Sequence, residues 1–195
     1  MYKKQMILQR FVCYFLLIAA ALVFVYSLGI LTDLYDNKLN FYAENRENPM
    51  VAGSEIYYDM QDFNKNLTIV GIVLILLAVA QFIFQNHNRR KYYIANYITV
   101  GVNTVAGILA TVWALDNIFI YKAQYLQIDF EALKMWSEML GFSYTDSVFW
   151  FDAARFVFGI FIAAVVLNAL NLIIKTVLMV SEKRLISAGR EVSAK

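Results

Sequence analysis

The chain has 195 residues, 61% of them hydrophobic and 16% charged, with a formal net charge of +2. One water-soluble core of this size could not hide so much apolar surface, and a mean hydropathy of +0.55 points to a bilayer as solvent. One Pro, eight Gly and one Cys exclude collagen-like, disordered and disulfide-scaffold chains, and the small net charge argues against a nucleic-acid partner.

Met1–Arg10 is a short basic lead into the first candidate span, Phe11–Leu31. Ser27-Leu28-Gly29 has the small-x-small form of a signal-peptide cleavage site, but an apolar run of about 21 residues exceeds the usual 7–15 of such a leader. The expectation is therefore a retained helix that crosses the membrane. Cys13 lies alone inside this run, so no disulfide within the chain can brace it.

Residues 33–66 follow as a loop with the only Pro, Pro49, in Glu47-Asn48-Pro49-Met50, a turn signal. Six large rings (Tyr35, Phe41, Tyr42, Tyr57, Tyr58 and Phe63) are more than a solvated linker needs. They are expected on the bilayer interface or packed on the second long loop, with a partner-binding surface as the alternative.

Leu67–Phe84 and Tyr92–Leu115 form the second and third spans. The turn between them carries His87 beside Arg89, Arg90 and Lys91. A lone His with no Cys or His nearby is no metal site, and the three cations suit contact with anionic lipid.

In residues 116–155, Phe130–Leu140 predicts a short amphipathic helix. Asp129 is its N-cap and Gly141 its stop. Phe130, Leu133, Trp136 and Leu140 share one face, and Glu131, Lys134 and Glu138 another, so the helix should lie on the outer leaflet or cap the bundle.

Phe156–Ile174 is the fourth span, and the pattern Val177, Leu178, Leu185, Ile186 continues it as a rod through the tail, residues 175–195. None of the four spans contains Asp, Glu, Lys, Arg, His or Pro. At about 1.5 Å per residue each reaches or nearly reaches the roughly 30 Å hydrocarbon slab.

The distribution of charge orients the chain. Both ends and the Gln85–Lys91 turn together carry eleven Lys and Arg against two acids, Glu182 and Glu191. The loop from Asp33 to Lys65 carries seven acids and three bases, and that from Asp116 to Arg155 six and three. The positive-inside rule then places both termini in the cytoplasm and both long loops outside. Trp113, Trp136 and Trp150 fall at or beyond the outer ends of the spans, as interfacial rings do. The expected fold is all-α: a single integral-membrane four-helix bundle over residues 1–195, in the plasma (inner) membrane, with the short helix in its second outer loop.

Without charge in the spans, amides and small residues carry the information. On the third span Asn96, Asn103, Gly107 and Ala110 fall on one face at 100° per residue, and on the fourth Ala164, Asn168 and Asn171 do. Asn103 and Asn168 then differ in depth by about 4–5 Å and Asn96 and Asn171 by about 2 Å, so these amides are expected to meet as two rungs. A buried amide cannot face lipid, so the expected role is interhelical glue, with an amide-lined solute or ion path as the alternative. Gly159 and Ala163 form a small-xxx-small face on the other side of the fourth span, suited to helix 1 or another subunit. Arg155 stands about 15 Å from the midplane with Asp152 one turn before it and Asp116 at similar depth, an expected interfacial ion pair.

Phosphate-binding glycine loops, Cys-x-x-Cys, His-Glu-x-x-His and Gly-x-Ser-x-Gly are all missing. The expected function is a non-catalytic subunit or scaffold of a membrane complex, assembled with other membrane subunits or as a homo-oligomer. No enzyme activity and no cofactor are expected. The alternative, a transport component, is lowered because ion-coupled carriers place ionisable residues or broken helices at the midplane.

Overall fold

The computed structural model describes residues 2–32, 51–85 and 93–193. Every regular element among them is helical: α1 Tyr2–Thr32, α2 Ile56–Gln85, α3 Tyr93–Tyr125, α4 Phe130–Leu140 and α5 Phe149–Ser193. Four of these, over Ile7–Leu31, Ile56–Gln85, Ile94–Tyr125 and Phe149–Ser181, are long and apolar enough to cross a membrane. The chain is a multi-pass membrane protein.

The long helices close a ring in the order α1, α2, α3, α5, each packed on its two neighbours. Their outward faces are greasy: Phe11, Ile18, Leu76, Leu109 and Phe156 are all at least 62% exposed. Water would make such a surface costly, whereas lipid tails match it.

The helices overrun the charge-free spans expected from sequence. Helix α2 begins eleven residues before Leu67, because Ile56, Tyr57, Met60 and Phe63 continue its buried stripe outward. Ala114, Ile118 and Tyr125 do the same for α3, and Phe151, Ala154 and Phe158 for the start of α5. A search for uninterrupted apolar runs stops at the first charge, but a helix with one wet side does not.

Close approach is concentrated at glycines. A Cβ on Gly71 would stand 2.9 Å from the Phe24 Cα, so α1 and α2 nearly touch backbone to backbone there. A Cβ on Gly107 would meet Val165 Cγ2 at 3.0 Å and Phe161 Cε1 at 3.1 Å, which draws α3 against α5.

At one end of the bundle, here termed distal, aromatic rings fill the interior. Tyr26 lies against Trp150 and Phe158 at 6.1 Å each, and Tyr125 against Phe130 and Phe151 at 5.3 and 5.2 Å. Their hydroxyls are used as well: Tyr26 donates to the Trp150 carbonyl at 2.9 Å and Tyr125 to that of Thr145.

Helix α4 closes this end. The Asp129 carboxylate accepts from the Ala132 N–H at 3.0 Å, and Gly141 stops the helix in the left-handed conformation, φ 71°. Leu133 is fully buried and Phe130, Trp136 and Leu140 pack beside it on the core, while Glu131, Lys134 and Glu138 face out. The Asp129 N–H donates to the Ala52 carbonyl, joining the segment before α4 to the turn before α2.

Of the first loop's six aromatics, Tyr57 and Phe63 are core residues on α2, and Tyr58 is half-buried on the same helix. Tyr35, Phe41 and Tyr42 lie outside the described residues.

Candidate functional site

The opposite end, here termed basal, is polar inside. Gln5, Gln9 and Cys13 recur every fourth residue on α1, and Gln81 and Gln85 do so on α2. Asn96 and Asn103 are seven apart on α3, and Asn168, Asn171 and Lys175 follow helical spacing on α5. All ten are buried. Four inward faces therefore converge on one amide cluster, where partners must come from protein because lipid offers none, and only Gln5 Oε1 among the cluster's buried amide atoms is left without one.

The innermost contact is a clasp across the diagonal of the ring. Gln81 Nε2 donates to Asn168 Oδ1 at 2.6 Å, and Asn168 Nδ2 donates back to Gln81 Oε1 at 3.0 Å. Both side chains are fully buried. Asn103 Nδ2 donates to the Leu77 carbonyl of α2 at 3.1 Å and to its own Thr99 carbonyl at 3.0 Å.

Nearer the basal end, Gln9 donates to the Gln85 carbonyl and the Cys13 thiol to Gln85 Oε1 at 2.8 Å. Gln5 Nε2 is shared between Gln9 Oε1 at 3.3 Å and Asn171 Oδ1 at 3.5 Å. With its nitrogen toward α2, the Asn96 amide donates to the Phe84 carbonyl at 3.0 Å, and its oxygen accepts from Lys175 Nζ at 2.9 Å. Tyr97 and Thr176 share a hydroxyl hydrogen bond beside it, between α3 and α5. Interhelical bonds of this kind contribute roughly 0.6–2 kcal/mol each.

The amides expected from sequence all point inward, but they do not pair as rungs between α3 and α5. Asn168 meets Gln81 of α2 rather than Asn103, and Asn171 meets Gln5 of α1 rather than Asn96. The reason is geometric. In a closed ring the inward faces of four helices share one centre, so an amide on one helix reaches the diagonal helix as readily as its neighbour. Gly107 and Ala164 are buried, and Ala110 is half-buried against the core. Gly107 marks the close contact of α3 with α5.

Gly159 and Ala163 lie on the exposed side of α5, and nothing stands within 4 Å of a Cβ placed on Gly159. Helix α1 packs on a different face of α5, and its Ala19 and Ala20 are buried within the bundle.

The ion pair also differs from expectation. Asp152 accepts from Lys122 of α3 at 2.6 Å, and the Arg155 guanidinium lies 4.8 Å from the centre of the Phe119 ring. Among the described residues Arg155 contacts neither Asp152 nor Asp116. Both cations cross the α3–α5 seam, Lys122 to the Asp152 carboxylate and Arg155 to the Phe119 ring, so the carboxylate expected to pair with Arg155 is taken by Lys122. Arg89, Arg90 and Lys91 lie outside the described residues.

Gln5, Gln9, Cys13, Gln81, Gln85 and Lys175 were not expected at this site. The signal that could have found them is the fourfold spacing of the glutamines, with Gln81 the one amide in the second span.

A second feature runs along the outward side of the α2–α3 seam. An apolar groove of about 350 Å³ lies between Val70 and Val73 on α2 and Ala106 and Ala110 on α3. A polar groove of about 580 Å³ opens distally, with Asp59 and Asp62 facing Asn117 and Tyr121. No protein family, curated protein or solved structure matches the chain, so what it does must be read from its own residues.

Proposed function

We propose that the chain is a non-catalytic subunit or scaffold of a membrane complex, held in the plasma membrane with both termini in the cytoplasm. The clasp between Gln81 and Asn168 carries this reading. Two fully buried amides satisfy each other across the bundle, so this pair is spent on holding helices together. A path between α3 and α5 is disfavoured because Val165 and Phe161 close on Gly107 immediately beyond the amides.

The exposed Gly159 and Ala163 face supplies a place for a neighbouring helix to approach closely. The excess of Lys and Arg at both termini and in the short turn supports the orientation. In that orientation α4 is an amphipathic helix of the second outer loop, capping the bundle with its apolar face and turning its charges to the water.

Gentle detergent extraction followed by native mass determination and identification of co-purifying subunits tests the assignment. A complex larger than one chain is expected, and Gly159→Ile should shift it toward the monomer with the same thermal transition. A lone monomer from native membrane would overturn the reading.

A further inference from the structure

We infer that the chain assembles with copies of itself, Arg155 on the outward face of α5 pairing with Asp116 on the outward face of α3 in the next copy. The inference rests on the assembly part of the scaffold reading and deepens it by naming the partner.

Two opposite charges near the edge of the hydrocarbon lack a counterion within the chain. Lys122 takes the Asp152 carboxylate, and the Arg155 guanidinium, stacked on Phe119, meets no acceptor among the described residues. Asp116 is exposed and has no hydrogen bond or ion pair among them either. The two point apart. At 100° per residue Asp116 lies about 180° round α3 from Gly107, the residue that closes on α5. Arg155 lies about 40° from the exposed Gly159, on the outward side of α5.

Depth brings them together between copies. Rotation about an axis along the membrane normal keeps every residue at its level, so a neighbour's α3 meets α5 in the register the two helices already hold within one chain. Tyr97 with Thr176 and Lys122 with Asp152 set that register. Arg155 is then level with about residue 118 of α3, about 3 Å from the level of Asp116. Shapes alternate along the same face. Gly159 and Ala163 fall level with about residues 110–114 of α3, where Ile108 and Val112 project outward. Gly101 falls level with about residue 172 of α5, where Leu170 and Ile173 project. Nothing stands within 4 Å of a Cβ placed on either glycine.

Charge and closure select α3 of a second copy. The Asn103 and Tyr121 hydrogen bonds to α2 place Asp62 at about the level of Arg155 as well. Helix α2, however, is diagonal to α5 in the ring, so that contact would propagate copies in a line. Its exposed face also offers large side chains, Ile69, Ile72 and Leu76, and no glycine or alanine. Helices α3 and α5 are adjacent corners, and contacts there turn each copy relative to the last until the array closes. About 15 Å from the midplane the surroundings are less polar than water, which strengthens the attraction of the pair.

The test weighs the full chain, extracted in mild detergent and serially diluted, by native mass spectrometry. An assembly of identical chains is expected. Arg155→Asp and Asp116→Arg, made separately, should each weaken association roughly tenfold or more, because a like pair replaces an opposite one at every junction. Co-expressing the two reversed chains should restore an assembly that contains both. Mixing repairs only a pair formed between chains, and the repair shows that each reversed chain folds. The milder Arg155→Gln and Asp116→Asn should show coupled, non-additive losses of association, and Asp62→Arg should leave the mass unchanged. A single copy of this chain bound to other subunits overturns the inference and leaves the scaffold reading standing, whereas a bare single chain overturns both. The inference also fails if the neutral variants add independently, if folded reversed chains are not repaired by mixing, or if Asp62→Arg disperses the assembly equally. A loss from Arg155→Asp alone overturns it too, and assigns the guanidinium to a lipid phosphate.

Discussion

The two ends of the bundle solve the same packing problem with different chemistry. The distal end is filled by rings whose hydroxyls reach backbone carbonyls, as Tyr26 and Tyr125 do. The basal end is filled by amides that bond one another across helices. Apolar packing within lipid gains little from exclusion of water, since the alternative surroundings are equally apolar. Rings therefore fill space without strongly dictating which helix goes where. An amide without its partner is penalised, so the basal cluster specifies the arrangement that the distal rings complete.

The strongest perturbation should fall between the two ends. Gly71→Ile places a branched side chain against the Phe24 backbone, where nothing can rotate away, and should destabilise by about 1–3 kcal/mol or more. A lowered thermal transition with loss of a single species on size exclusion would register it. An unchanged transition would show that the close approach of α1 and α2 is dispensable to both ends.

Next comes the clasp. Asn168→Leu strands the buried Gln81 amide and should cost about 1–3 kcal/mol. Gln81→Leu with Asn168→Leu should recover much of that, with a coupling energy of about 0.6–2 kcal/mol in a double-mutant cycle. Additive losses would mean that the amides are not partners.

At the distal end, Tyr26→Phe removes one hydrogen bond but keeps the ring, and should cost about 1 kcal/mol. A loss as large as that of Asn168→Leu would erase the distinction between the two ends. The smallest effect belongs to the exposed pair: Lys122→Ala should shift stability by less than about 1 kcal/mol, and less again in high salt.

The four long helices were legible because length and absence of charge are local properties. Helix α4 was legible to the residue because Asp129 and Gly141 punctuate it. The inward faces of α3 and α5 could also be read, since 100° arithmetic assigns Asn96, Asn103, Asn168 and Asn171 to single sides of their helices. What could not be read was the partner of each amide. That depends on which helices share a corner and which a diagonal, and periodicity along one helix carries no such information. The glutamines of α1 and α2 were overlooked for a related reason. Gln5, Gln9 and Gln85 flank the apolar runs, where an amide looks like the beginning of a loop. The same edge effect hid the distal turns of α2 and α3 that build the polar groove.

Helix α5 holds 45 residues without interruption, close to 67 Å of rod at about 1.5 Å each. From Thr176, level with Tyr97, to Ser193 it continues for about 25 Å. A pivot of only about 5° around the clasp would swing its far tip by about 3 Å, so the mechanical aim of the whole spar depends on the clasp and on the Gln5, Asn96 and Tyr97 contacts that grip α5 at Asn171, Lys175 and Thr176.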